Sequence, residues 1–264
     1  MVYKCKRVWV CDLGGCMAGL VAVLAVGIAL AGEVNVGTKV NPRDGAEMIY
    51  IPAGEFTMGS DEKPQHKVYL DGYWIYKYEV TVAQYRKFCK ATGLNMPEAP
   101  SWGWKDDRPM VNVSWYNAAA YSRWARVRLP TEAQWEKAAR GTDGRKFPWG
   151  NEWDKSKCAN SMGQSLSSTK PVGSYASGAS PYGVMDMAGN VWEWCADWYD
   201  ANFYAKAPTR NPKGPSTGAF RVLRGGSWCR DLELNFRAAY RLIIDPAFRL
   251  NYFGFRCASG SDSR

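Results

Sequence analysis

The stretch Arg221–Cys257 constrains the fold most, because its two ends have the pattern of compact strands and turns whereas its middle has no regular period. It begins with the text RVLRGGSW and ends with GFRC, and Gly225–Gly226 marks a turn where a residue without Cβ fits most easily. Between these ends, apolar residues stand on both sides of Pro246 without a period of two or 3.6. We therefore expect rigid ends that hold an irregular segment at the surface.

Three residues of that segment, Leu242-Ile243-Ile244, decide between core and surface. Adjacent strand residues point to opposite faces, so burial of all three requires a central strand that is covered on both sides. The following Asp245-Pro246 is typical of an edge strand or a loop. We expect a binding surface here; an ordinary buried strand flanked by surface aromatics is the alternative.

Composition indicates one globular domain. The chain has 264 residues, of which 46% are hydrophobic and 22% charged, which suffices for a sizeable core. Thirteen Trp and fifteen Tyr favour a compact fold whose loops are pinned by aromatic rings. The net charge of +9 comes from scattered Lys and Arg residues and forms no basic stripe, so no nucleic-acid partner is indicated.

The N-terminus has the features of an export signal. Leu13–Gly32 is an uncharged run that follows Lys4, Lys6 and Arg7, and Ala29-Leu30-Ala31 fits a signal-peptidase site. We predict a signal peptide or membrane anchor at 1–31, a linker at 32–46 and a single domain at 47–264. The expected location is the cell surface or outer envelope, and membrane or lipid attachment through the N-terminus is left open.

Five cysteines follow the leader, and none of them stands at CxxC spacing, so neither a zinc site nor a redox pair is indicated. Their disulfide state is left open. They are Cys89, Cys158, Cys195, Cys229 and Cys257.

Capping signals predict three helices. Thr81 precedes the segment 82–91, Ser114 precedes 115–126, and Thr131 with Gln134 forms a capping box before 132–140. Strands are expected at 48–51, 55–58, 67–70 and 191–194, and the last of these places Trp192 and Trp194 on one face.

The order of the motifs resembles the formylglycine-generating-enzyme family, a branch of the C-type lectin fold. The matching text is IPAGEFTMGS, PQHKVYL, RPMVNVSWYNAAAY, RLPTEAQWEKAARG, FPWGN, YGVMDMAGNVWEW, RVLRGGSW and GFRC. These blocks run from about Ile51 to Cys257. The resemblance implies an α+β, loop-rich domain of the C-type lectin type.

Catalysis is a separate question, since function depends on the site and not on the fold. The oxidases of this family carry two cysteines, five residues apart, after the GGSW-type motif; they bind copper and attack a sulfatase cysteine. Here Cys229 stands one residue early and Cys257 is too distant to be its partner, while Ser122 replaces a cysteine that pairs with the GFRC cysteine. His66, the single histidine, cannot supply the iron site of the sulfoxide-synthase relatives. We therefore expect no enzymatic activity and no required cofactor; an oxidase that uses Cys229 alone is the alternative.

The chain also resembles the variable proteins of diversity-generating retroelements, including spirochaetal ones, which share this fold. The resemblance implies an exported, non-catalytic protein whose variable region, about 228–253, binds an unknown protein or cell-surface molecule. An envelope assembly protein with a fixed partner is a further alternative. The expected ligand-binding residues are Trp228, Cys229, Asp231, Leu232, Leu234, Asn235, Leu242, Ile243, Ile244, Phe248, Leu250, Asn251, Tyr252 and Phe253.

The same resemblance implies a structural calcium site at Asp186, Gly189, Val191 and Glu193, where two carboxylates and two backbone carbonyls supply the oxygen ligands that Ca²⁺ prefers. The alternative is that Asp186 and Glu193 brace the loop by accepting backbone N–H bonds.

Overall fold

The computed structural model describes residues 37–60, 63–162 and 166–260. Within these ranges, loops and 3₁₀ turns connect ten strands and four α-helices, and the α+β, loop-rich class is confirmed. The strands are β1 Thr38–Val40, β2 Glu47–Ile51, β3 Gly54–Ser60, β4 Lys63–Leu70, β5 Tyr73–Tyr76, β6 Trp192–Trp198, β7 Arg221–Arg224, β8 Leu242–Ile244, β9 Phe253–Gly254 and β10 Ala258–Gly260. The helices are α1 Val82–Thr92, α2 Trp115–Trp124, α3 Glu132–Arg140 and α4 Phe203–Lys206.

The three helices expected from the sequence are present, and each begins with a reciprocal cap. The Thr81 side chain accepts a hydrogen bond from the Gln84 N–H, and the Gln84 side-chain oxygen accepts one from the Thr81 N–H. Ser114 and Thr131 begin α2 and α3 with the same arrangement. Each cap satisfies backbone donors that the first helical turn leaves unpaired.

The strands form three sheets. One has the order β1-β2-β5-β10 with antiparallel pairs, and β3 pairs with β4 in a two-stranded ribbon. The third has the order β8-β7-β6-β9, in which β9 runs parallel to β6. Leu242–Ile244 is therefore an edge strand, as the neighbouring Asp245-Pro246 predicts.

The strand β6 connects two parts of the core. Trp192 and Trp194 are fully buried in a cluster with Tyr121 and Phe253. Glu193 lies on the opposite face and accepts a hydrogen bond from Nε1 of Trp135, which belongs to the second cluster. The predicted strand at 191–194 and its two faces are thus confirmed.

The domain begins earlier than predicted. In place of a linker over residues 32–46, β1 pairs with β2, and the Asp44 carboxylate accepts hydrogen bonds of 2.7 Å from the Tyr76 hydroxyl and 2.6 Å from the Tyr121 hydroxyl. The polar composition of this segment gave no sign of these contacts, because its partners lie 32 and 77 residues further along the chain. The predicted leader at 1–31 lies outside the described residues. No helix in the described ranges is long and apolar enough to cross a membrane.

Candidate functional site

The start of the C-terminal segment, which we define as residues 228–253, is held by a buried arginine on β7. Arg224 donates from Nε to Glu132 Oε1 at 2.9 Å and from Nη2 to Glu136 Oε2 at 2.6 Å, both on α3. Its Nη1 donates to the Ala238 carbonyl at 2.6 Å. Arg241 binds both Glu132 oxygens at 2.6 and 2.7 Å. Removal of one partner would leave a buried charge uncompensated, so the network fixes the segment against α3.

A second buried arginine holds the end of the segment. Arg256 binds the two Glu193 oxygens at 2.6 Å each and donates to the carbonyls of Tyr76, Lys77 and Met185. All of these atoms lie outside the C-terminal segment, so the segment is anchored at both ends to parts of the chain that precede it.

A glycine turn follows β7 and sets the direction of the segment. Gly226 has a φ of 81°, which L side chains rarely adopt. A Cβ atom there would lie 2.7 Å from Cδ1 of the buried Phe236. Glycine is therefore required at this position both by the backbone angle and by the close approach of Phe236.

The predicted ligand-binding residues fall into three groups by exposure. Leu232, Leu234 and Phe248 are 57%, 37% and 56% exposed, and Asp231 is exposed as well. We call these four residues the C-terminal surface. Half-buried positions are Trp228, Cys229, Leu242, Ile243, Ile244, Leu250, Asn251 and Tyr252.

Two of the predicted binding residues are buried, and their expected exposure is wrong. Phe253 is 1% exposed because β9 pairs with β6 and places its ring 5.5 Å from the ring of Trp194. Asn235 is 8% exposed, and its side-chain amide donates to the Leu232 carbonyl at 3.1 Å. Both residues support the segment from inside.

Several half-buried residues also contribute to the core. Leu242, Ile244, Leu250 and Tyr252 pack against the cluster that contains Trp192 and Trp194. They were expected to be freely replaceable, and this packing contradicts that expectation, because truncation would remove buried contact area.

An aromatic group lies beside the start of the segment. The ring of Trp228 meets that of Trp102 edge-on at 5.5 Å, and its Nε1 donates to the Asn251 carbonyl at 3.3 Å. The guanidinium of Arg230 lies 5.2 Å from the ring centre of Tyr252. Sequence reasoning missed Trp102; the loop text SWGWKDD, which contains two Trp, was the available signal.

The five cysteines of the described part are all free thiols. Cys229 is half-buried, and its sulfur lies 3.5 Å from the Ser227 hydroxyl. Cys257 is fully buried, and burial raises its pKa well above the usual range, which disfavours the thiolate. A copper(I) site with two thiolates would need a second accessible cysteine beside Cys229.

The proposed calcium ligands are held by protein contacts. Asp186 accepts a hydrogen bond from the Gly173 N–H at 2.6 Å, which agrees with a bracing role, whereas Glu193 braces through the side chains of Arg256 and Trp135. In the described ranges, no group of three or more His, Cys, Asp or Glu side chains is placed to hold a metal ion.

Sequence reasoning also missed Glu79, a residue that fits a cation at this place. Glu79 is 1% exposed, and neither of its carboxylate oxygens has a hydrogen-bond partner in the described part of the chain. Burial and the neighbouring Asp186 raise the pKa of Glu79, and burial raises that of Asp186. Two desolvated acids side by side are the donor type that Ca²⁺ binds, so calcium at Asp186 stays a prediction, with Glu79 added to its ligands.

Comparison with known proteins follows the same regions. Residues 35–260 match the family described as sulfatase-modifying factor enzyme 1-like domain. The chain is 36% identical to the formylglycine-generating enzyme of Streptomyces coelicolor, over 91% of this chain and 97% of that protein. It is 32% identical to the hercynine oxygenase of Mycolicibacterium smegmatis, over 80% of this chain and 60% of that one. It is 40% identical to the serine/threonine-protein kinase Pkn1 of Chlamydia trachomatis but spans 38% of that protein's length.

Two solved structures share the fold. PvdO from Pseudomonas aeruginosa aligns with a TM-score of 0.75 and 28% identity, over 85% of this chain and 98% of its own. Variable protein 1 from Treponema denticola aligns with a TM-score of 0.71 and 25% identity, over 86% of this chain and 99% of its own. Both resemblances expected from the motifs, to the oxidase family and to the variable proteins, are thus confirmed.

The expectation that the chain is not an enzyme is wrong by these comparisons. Relatives at 32–36% identity over most of the chain are named formylglycine-generating enzyme and hercynine oxygenase, and they place it in an enzyme family. The expectation depended on one missing cysteine after the GGSW motif, and the similarity extends over the whole domain.

Proposed function

We propose that this chain, which belongs to the sulfatase-modifying factor enzyme 1-like family, binds a protein or another cell-surface molecule through its C-terminal surface. The observation that carries the proposal is the exposure of Leu232, Leu234 and Phe248 on a segment whose ends are fixed by buried arginines. Exposed apolar groups on a rigid support bring contact area at a small entropic cost. The likeness to Treponema denticola variable protein 1 supports the same place of binding.

Export and diversification belong to the same proposal. The uncharged run after Lys4, Lys6 and Arg7 supports export through the N-terminus. A diversified segment at 228–253 predicts that the 3′ end of the gene, sequenced across many cells of the source, varies at the codons of the exposed residues. An invariant 3′ end would remove diversification from the proposal and leave binding to be tested separately.

Binding is tested with labelled full-length chain on intact cells that share the habitat of the source. The double variant Leu232→Asp/Phe248→Asp should lose saturable binding, because it places two charges in the apolar contact area. Val40→Asp, at a 59% exposed position on β1, is the matched control and should bind like the parent. Equal binding by the parent and the double variant would refute the proposal.

A second candidate is oxidation of a peptide cysteine by Cys229. Two observations favour it: the 36% identity to a formylglycine-generating enzyme, and the half-buried position of Cys229 among cysteines that are otherwise buried in the described part. The chain is incubated with a CxPxR peptide and copper, and the loss of the peptide thiol is followed by mass spectrometry. Turnover that Cys229→Ser abolishes and Cys89→Ser preserves would establish this activity; no turnover by the parent would exclude it.

A further inference from the structure

A cavity of about 590 Å³ lies at a place that the C-terminal segment does not reach. Its walls come from α2, the start of α3, the β4–β5 turn, β6 and the loop at 211–213, and none of its lining residues belongs to 228–253. The volume falls within the range of about 300–1,000 Å³ that is usual for small-molecule sites. The cavity is therefore separate from the binding surface proposed above.

One wall of the cavity is an apolar helix face. Trp115, Ala119, Ser122 and Arg123 of α2 line it, and their spacing of four, three and one residues places them on the same side of a helix. Other segments add Leu70, Val127 and Leu129. A ligand that fills this space would bury apolar surface against these side chains.

The charges that line the cavity are mainly positive. Arg123, Arg128 and Lys213 are exposed at its walls. The one acidic residue of the lining, Asp71, is already compensated, since it forms an ion pair with Arg210 and accepts a hydrogen bond of 2.7 Å from the Asn211 side chain. An acidic group that enters the cavity would meet three cations and a neutralised carboxylate.

The cations are available for such a group. Neither Arg123 nor Lys213 forms an ion pair or a side-chain hydrogen bond within the part of the chain that is described. Arg128 is oriented by a hydrogen bond of 2.6 Å from Nη1 to the Gln134 side chain, another lining residue. A guanidinium fixed at the wall presents its remaining N–H groups in a geometry that suits a carboxylate.

The nearby helix N-terminus contributes little, because its donors are already used. Thr131 and Gln134 cap α3 reciprocally, and the Glu132 N–H donates to Asp197 at 2.7 Å. The attraction for an anion must therefore come from the three side-chain cations.

We propose that this cavity binds a small amphipathic molecule that carries an apolar body and one acidic group. The apolar body lies against the α2 face, and the acidic group contacts Arg123, Arg128 and Lys213. The site is independent of the ligand of the C-terminal surface, and either can exist without the other.

The probe is decanoate, and decanol serves as the uncharged molecule with the same apolar body. Titration calorimetry of the full-length chain should give saturable binding of decanoate, with an affinity at least tenfold higher than that of decanol. Equal affinities would refute the role of the cations, and the absence of saturable decanoate binding would refute the site.

The variant Arg123→Gln/Lys213→Gln should bind decanoate about tenfold more weakly, as expected when two partly exposed ion pairs are lost. Its thermal unfolding should match the parent's, because these side chains have no ion-pair partners in the described ranges. Lys90→Gln/Lys105→Gln removes the same charge from exposed positions outside the cavity and should leave the affinity unchanged. Equal weakening by both double variants would show that overall charge governs binding and would overturn the proposal.

Discussion

Asp197 is a fully buried carboxyl group next to the network that anchors the C-terminal segment. Burial and the neighbouring Glu132 raise the pKa of Asp197 to about 7, although its Oδ2 accepts a hydrogen bond from the Glu132 N–H. The unfolded chain releases the same proton near pH 3.8. The folded state therefore holds more protons than the unfolded state between these two values.

This difference predicts how stability changes with pH. The contribution of Asp197 to the free energy of unfolding falls as pH rises from about 4 to about 7, because the folded state must then keep a desolvated charge or a bound proton. Asp197→Asn is neutral at every pH and can still accept the Glu132 N–H. Its stability relative to the parent should rise by up to about 1.4 kcal/mol per pH unit in this window.

Urea unfolding of both proteins at pH 5 and pH 8 measures this effect. A variant that is equally or more destabilised at pH 8 than at pH 5, relative to the parent, would contradict the raised pKa.

Single residues also show which roles a sequence reveals. The scaffold role of Arg224, Arg256 and the glycines at 225–226 could be predicted, because these residues stand in the compact motifs at the ends of the segment. Their partners could not, since Glu132 and Glu136 lie 92 and 88 residues from Arg224 in the chain. Glu79 gave no signal at all, because nothing local distinguishes a buried carboxylate from an exposed one.

At the scale of elements, two phenylalanines of one segment have opposite environments. Phe248 lies in the loop after the edge strand β8 and is 56% exposed, whereas Phe253 forms β9 and is 1% exposed. Their difference comes from the parallel pairing of β9 with β6. A central partner strand turns an aromatic residue of an irregular segment into core.

This contrast gives a matched pair of substitutions. Phe253→Ala should destabilise the protein by about 3–5 kcal/mol, because it leaves a cavity beside Trp194. Phe248→Ala should change the free energy of unfolding by less than about 0.5 kcal/mol, because its ring is mostly in solvent. Urea unfolding of the two variants checks both values, and similar effects at the two positions would contradict the assignment of Phe248 to the surface.

The elements that could be predicted are those whose signals are local. The caps at Thr81, Ser114 and Thr131 act within three residues of each helix start, so the sequence alone locates α1, α2 and α3. The linker at 32–46 and the exposure of Phe253 were predicted wrongly because both depend on distant partners. For the same reason Trp102 was missed, since it meets Trp228 across 126 positions of the chain.

At the scale of the whole molecule, the acidic pair Glu79 and Asp186 joins distant parts of the chain. Glu79 follows β5, while Asp186 binds the Gly173 N–H and lies before β6. A divalent cation at this place would neutralise both acids at once and stabilise the folded state through its binding energy.

Calcium should therefore raise the melting temperature of the parent by a few degrees, since about 2.7 kcal/mol is gained at a concentration 100-fold above the dissociation constant. Asp186→Asn should lose this response, and Asp231→Asn, at an exposed position, should keep it. Calorimetric scans with calcium and with a chelator measure the shift. A parent that melts at the same temperature in both conditions would contradict the site.

The sheet β1-β2-β5-β10 joins the first strand of the domain to the last. During synthesis, β5 is complete after residue 76, yet its partner β10 leaves the ribosome after nearly 180 further residues have been added. One edge of β5 must therefore wait, with its backbone groups open to other chains, until translation is almost finished. The domain closes with its final residues, and a nascent chain that stops within the C-terminal segment has an open sheet for chaperones and proteases to recognise.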